Sequence, residues 1–155
     1  PLDIHLMISK PERYIKNFLN YNVKVLTVHL EASKHLHRTI QEIKSKGVMA
    51  GVAINPHTDV NHLNEIISDL DVVCLMSVNP GFSGQKFIEN SFDKVKKLKK
   101  IILAKKSKCK IQVDGGVNIL NSKKLVKNGA DILVAGNFIF KSDNPHQNII
   151  SLKGI

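Results

Sequence analysis

A chain of 155 residues with 43% hydrophobic side chains spread along its length can bury a single sizeable core, which argues against a disordered or fibrous protein. No apolar run approaches the roughly 20 residues of a membrane span, and Pro1-Leu2-Asp3-Ile4-His5 lacks the basic start and long apolar stretch of a signal peptide. The net charge of +10 sits largely on helical lysines, and with only two tyrosines and no tryptophan the chain has little for base stacking, so nucleic acid is not expected as a partner.

In chain order, apolar runs of strand length alternate with longer segments of helical period. Strands are predicted at Leu2–Met7, Lys24–Val28, Met49–Ile54, Val72–Val78, Lys110–Val113 and Ile132–Ala135. Helices are predicted at Pro11–Asn20, His35–Lys46, Val60–Ser68, Ser91–Ala104, Ile119–Asn128 and His146–Leu152. Pro11 suits a first helical turn, Asn90 or Ser91 suits a cap, and Gly47 and Gly129 stand where helices stop. Lys94, Lys96, Lys97, Lys99 and Lys100 read as a solvated face, with Phe92, Val95, Leu98 and Ile102 turned inward. Cys74 and Cys109 form no disulfide framework; Cys74 reads as a small buried hydrophobe, in keeping with a reducing, cytosolic setting.

The strands are continuously apolar rather than alternating, as in sheets covered on both faces. Consecutive βα units imply a parallel sheet, open or closed. The Gly-x-Gly-x-x-Gly turn of a dinucleotide fold does not follow the first strand. Residues of functional type follow nearly every strand instead, the pattern of a (β/α)8 TIM barrel. The fold expected is a single partial barrel domain over residues 1–155, with about six of eight βα units. Two unpaired apolar edges would make such a piece unstable or dependent on a partner.

Asp114-Gly115-Gly116 is the most telling tripeptide. A carboxylate at the C-terminal end of a buried parallel strand points into the barrel mouth, and two glycines let the backbone approach an anion. His5 and Met7 share one face of the first strand. A histidine and an aspartate from different strands can converge on a divalent cation, although His5 could equally be a hydrogen-bonded core residue. Met76 ends another strand and reads first as packing. Gly81-Phe82-Ser83-Gly84 makes a loop able to present N–H groups to an anion, or a simple turn. Gly136-Asn137, after the final strand and before a short helix, resembles a recurrent phosphate pocket. His29 and Glu31 are read as scaffold or pocket lining, and His35, His37, His57 and His62 as solvated.

Ile4-His5-Leu6-Met7, Val28-His29-Leu30-Glu31-Ala32, Gly51-Val52-Ala53-Ile54-Asn55-Pro56, Met76 through Phe87, Val113-Asp114-Gly115-Gly116-Val117, and Gly129-Ala130-Asp131 through Ala135-Gly136-Asn137 closely resemble the ribulose-phosphate 3-epimerase family. The resemblance runs in the family's order along the whole chain. It implies a metal-dependent barrel of the ribulose-phosphate binding type that interconverts D-ribulose 5-phosphate and D-xylulose 5-phosphate by removing and returning a proton at C3 through an enediolate. It makes His5 a metal ligand that also meets substrate, and Asp114 both ligand and acid/base. Met7 and Met76 would line the site; Gly81, Phe82, Ser83, Gly84, Gly115, Gly116, Gly136 and Asn137 would hold the phosphate. The metal implied is Zn2+ or Fe2+, with Mn2+ or Co2+ as alternatives. A cytosolic or plastid homo-oligomer acting on a sugar phosphate, away from membranes, is implied as well.

The family's first two strands supply a serine, a second histidine ligand and the partner aspartate, and none has a counterpart here. The chain by itself is therefore expected to be inactive. Alternatives are a non-catalytic remnant that binds sugar phosphate or a full-length subunit, and a related hexulose-6-phosphate 3-epimerase.

Overall fold

The computed structural model describes residues 1–155. Its strands are β1 (Leu2–Leu6), β2 (Val23–His29), β3 (Met49–Ile54), β4 (Val72–Met76), β5 (Lys110–Asp114) and β6 (Ile132–Val134). The helices are α1 (Ile15–Phe18), α2 (Leu36–Lys44), α3 (Ser91–Ala104), α4 (Ile119–Asn128), α5 (Gly136–Phe140) and α6 (Pro145–Lys153). All neighbouring strands pair in parallel, and spatial order follows chain order from β1 to β6. Sequential order with no reversal is the wall of a (β/α) barrel rather than a doubly wound sheet. The molecule is a half-barrel with β1 and β6 as its edges.

Alternation along each strand separates two faces. Leu26, Val28, Val52, Ile54, Val73, Leu75, Ile111 and Val113 join Ile40, Ile43, Val95, Leu98 and Leu125 of the helices in one buried cluster. On the other face Ala53, Cys74, Met76 and Val78 form a smaller cluster of their own. His5, Thr27, Gln112 and Asp114 fall on that second face by their registers with these residues.

The second face is strongly concave. β1 and β5 are four strand spacings apart, roughly 19 Å along a flat sheet, yet His5 Nδ1 lies 3.7 Å from Asp114 Oδ2. Small residues permit the curl: Gly51 pairs with Thr27, and a Cβ there would overlap the Thr27 hydroxyl. At the opposite rim from the site, aspartates tie neighbouring strands together. Asp71 accepts from the Ala50 N–H at 2.8 Å, and Asp131 from the Ile111 N–H at 2.9 Å.

The elements depart from expectation in four places. The Val60–Ser68 segment is not an α-helix: it makes one 3-10 turn at Val60–Leu63, capped by Asp59, and continues as turns. Its buried residues Val60, Leu63, Ile67 and Leu70 recur at helical spacing, but irregular turns bury them as well. Pro11–Asn20 divides into a 3-10 turn (Pro11–Arg13) and the short α1. Asn90 occupies the N-cap of α3 without a side-chain cap bond, and the Ser91 hydroxyl is buried without a partner. Lys94 is not solvated: it is buried, and its ammonium donates to the Asn55 carbonyl at 2.8 Å and to that of Pro56 at 3.2 Å.

Two leucines of α3 test the assignment of its faces. Leu98 is fully buried and Leu103 is 66% exposed. Leu98→Ala is expected to cost about 2–5 kcal/mol in urea unfolding, and Leu103→Ala less than about 0.5 kcal/mol.

Candidate active site

The C-terminal ends of the strands open onto a cavity of about 840 Å³. Met7, Met76, Gly81, Phe82, Ser83, Gly84, Asp114, Gly115, Gly116, Gly136 and Asn137 all line it. His5 does not line this cavity; it stands beside it, against Asp114. These residues thus gather at one rim, although they come from strand ends and loops far apart in the chain.

Each is positioned by the fold. Met76 ends the fully buried β4 and is itself only 2% exposed, whereas Met7, just past β1, is 43% exposed. Asp114 ends β5 opposite Met76. The loop after β5 is pressed against the loop after β4: the Ser77 hydroxyl donates to the carbonyls of Asp114 (3.0 Å) and Gly115 (2.6 Å). Gly115 and Gly116 have φ of 119° and 63°, and a Cβ on Gly116 would lie 2.8 Å from the Phe87 backbone nitrogen. Only glycine fits such a left-handed, crowded pair. The Gln85 amide folds the Gly81–Gly84 loop by donating to the carbonyls of Asn79 (2.5 Å) and Phe82 (3.0 Å). Gly84 faces the Asn137 side chain, with the Lys141 ammonium also nearby.

His5, Cys74 and Asp114 each offer one ligating atom, and these atoms all lie within 4.8 Å of one another. The 3.7 Å from His5 Nδ1 to Asp114 Oδ2 is too long for a hydrogen bond but suits two ligands of one small cation. An imidazole and a carboxylate are donors that a divalent transition metal accepts, so the residues present fit such an ion. Burial, with the nearby charges of Asp114 and Asp3, pushes the Cys74 thiol well above its ordinary value.

Behind His5 stands an arrangement the sequence did not reveal. His5 Nε2 meets His29 Nε2 at 2.9 Å, and His29 Nδ1 lies 3.4 Å from Glu31 Oε2. The two rings are 19° from coplanar with centroids 5.0 Å apart, so they meet edge to edge. The other Glu31 oxygen, Oε1, accepts from the Asn55 N–H at 2.8 Å and from the Thr58 hydroxyl. Partial burial alone would raise the Glu31 carboxyl, but the bonds from His29, Thr58 and Asn55 outweigh it and hold the group at about 2. Lys94 is pulled the other way: burial lowers it, against the charges of Glu31 and Asp59. The one signal in the sequence was the His-x-Glu spacing of His29 and Glu31 at a strand end. Lys124 and Asn121, also on the cavity wall, carried no motif.

The fold is of the (β/α)-barrel class, and the rim residues gather at the C-terminal ends of its strands, where enzymes of this class place their sites. The model of the "Ribulose-phosphate 3 epimerase family" matches residues 1–140. A ribulose-phosphate 3-epimerase of Bacillus subtilis is 46% identical over 155 residues, covering 99% of this chain and 71% of that protein. A chloroplastic ribulose-5-phosphate-3-epimerase of Arabidopsis thaliana is 41% identical, over 99% of this chain and 55% of that protein. The chain belongs to the ribulose-phosphate 3-epimerase family. Among solved structures, a 3-hexulose-6-phosphate synthase superposes with a TM-score of 0.69 at 17% identity, covering 94% of this chain and 68% of that one, a likeness of fold.

The Glu31 carboxyl links the site to acid stability. Its value is about 2 when folded against an ordinary 4.5. Between these limits the unfolded chain binds the extra proton, so this contribution is complete above about pH 4.5 and is lost as pH falls towards 2. In Glu31→Gln the denaturation midpoint is expected to vary less with pH across that window than in the wild type.

Proposed function

We propose that this chain carries the phosphate grip and one acid/base carboxylate of an epimerase that interconverts D-ribulose 5-phosphate and D-xylulose 5-phosphate. The observation that carries the reading is Asp114 held 3.7 Å from His5 at the edge of a glycine-rich cavity, in a chain of this family.

Epimerisation at C3 takes a proton from one face of the carbon and returns one to the other, so an acid/base group must stand on each face. Asp114 holds and returns the proton on the face it occupies. Its backbone carbonyl is fixed by the Ser77 N–H at 2.8 Å and by the Ser77 hydroxyl, which leaves the carboxylate free to face the cavity. His5 and Asp114 are the residues that would hold the metal, Zn2+ or Fe2+ in this reading. The ion, when bound, supplies positive charge against the negative charge developing on the substrate oxygens. Met7 and Met76 bring polarizable, non-protic surface beside that charge, which keeps water from delivering stray protons.

Gly81, Phe82, Ser83, Gly84, Gly115, Gly116, Gly136 and Asn137 hold the phosphate chiefly through backbone N–H groups. Lys141, close to Gly84, adds positive charge at the same end. A phosphate anchored there fixes the distance from anchor to C3, and so places C3 by Asp114. The chloroplastic relative supports a plastid as one setting, with the cytosol as the other.

Asp114→Asn keeps the shape and removes the base. In a protein that also carries the family's first two strands, it is expected to lower kcat on ribulose 5-phosphate by roughly 10²- to 10⁴-fold while inorganic phosphate still competes for the site. Wild-type turnover in that variant would remove Asp114 from the mechanism. Turnover of a hexulose 6-phosphate in preference to the pentulose phosphate would reassign the substrate.

A further inference from the structure

We propose that Glu31, acting through His29, is a positioning residue that sets the tautomer of His5 and aims a bare Nδ1 lone pair at Asp114. The inference rests on the reading of His5 and Asp114 as metal ligands and extends it to the residues behind them.

The direction of the chain follows from which groups can donate. Glu31 is a carboxylate, so it can only accept, and it faces His29 Nδ1 at 3.4 Å. His29 must therefore carry its proton on Nδ1; a bare Nδ1 would set a lone pair against an anion. A neutral imidazole has one N–H, so the His29 Nε2 is then an acceptor. It lies 2.9 Å from His5 Nε2, and a contact that short between two ring nitrogens needs one proton between them. His5 supplies it from Nε2. That leaves His5 Nδ1 without a proton, turned towards Asp114 Oδ2 at 3.7 Å.

Two unprotonated acceptors facing each other across that gap repel unless a cation lies between them. The tautomer needed for a ligand is thus imposed from the Glu31 end. Glu31 is itself fixed from outside the site. The Asn55 N–H and the Thr58 hydroxyl occupy Oε1, and the Lys94 ammonium clamps the Asn55 and Pro56 carbonyls of that loop. Only Oε2 is left for His29.

This arrangement predicts what an amide would do in place of the carboxylate. In Glu31→Gln the amide oxygen stays with the Asn55 and Thr58 donors, so its NH2 points at His29 Nδ1. His29 must then accept at Nδ1 and donate from Nε2. His5 accepts at Nε2 and carries its proton on Nδ1, where it blocks the ligand position.

The experiment reads imidazole nitrogens directly, by 15N–1H side-chain correlation spectra of the metal-free protein. The wild type is expected to show His5 protonated on Nε2, and Glu31→Gln to show it on Nδ1. Titrated with Co2+ alone, Glu31→Gln is expected to bind roughly 10- to 100-fold more weakly than the wild type. Thr58→Val, which disturbs the same loop but leaves Oε2 facing His29, should keep the wild-type tautomer. A wild-type His5 protonated on Nδ1 overturns the inference, and that result needs no variant to fold. So does Glu31→Gln with both tautomer and Co2+ affinity unchanged. Turnover of ribulose 5-phosphate is measured in parallel in a protein that also carries the family's first two strands: the expected spectra and Co2+ binding without turnover there would support the inference while counting against the proposed activity.

Discussion

The curl of the sheet is the constraint on which the site depends. Laid flat, β1 and β5 would hold His5 and Asp114 far beyond reach of one another; curled, they stand 3.7 Å apart. The curl in turn depends on an imbalance between the two faces. The helix side carries Leu26, Val28, Ile54, Leu75 and Ile111, all fully buried, while small residues stand at Gly51, Ala53 and Cys74 on the concave side. Those small residues leave room for the strands to close over the larger His5, Met76, Gln112 and Asp114 on the same face. The packing of the sheet therefore also bears on the 3.7 Å between His5 and Asp114.

The site divides by element. His5, Met76 and Asp114 stand on or at the ends of strands, whose backbone is fixed by the sheet ladder. The side proposed to hold phosphate is built on loops held by fewer bonds, such as those from Gln85 and Ser77. This fits the roles proposed for the two parts. Proton transfer needs an acid/base group within hydrogen-bond reach of one carbon, and error there is costly. A phosphate gripped by several N–H groups tolerates some adjustment, and its loops must also let substrate in and out.

Much of this was legible in the sequence, and the reason is physical. Continuous apolar runs such as Val72–Met76 read as strands once helical segments alternate with them, and Asp114-Gly115-Gly116 follows directly on the apolar run Ile111–Val113. What the sequence hid was direction. The spacing of Val60, Leu63 and Ile67 is helical, yet it reports only that these side chains are buried, and turns bury them equally well. Lys94 reads as one more surface charge among many, because the loop carbonyls that receive it belong to residues 39 and 38 positions earlier. His29 and Glu31 read as lining because a link to His5 depends on strand register, and no local pattern encodes register with a neighbouring strand.

That link has a reason in the topology. His5 stands on β1 in register with Thr27 of β2, two residues before His29. β2 has neighbours on both sides and is buried over most of its length. By bonding His5 to His29, the fold fastens a side chain of β1 to one of β2. Glu31 and the Asn55–Thr58 loop extend that anchorage to β3. The ring orientation needed at the site is thus set by three adjacent strands rather than by the one that carries the residue.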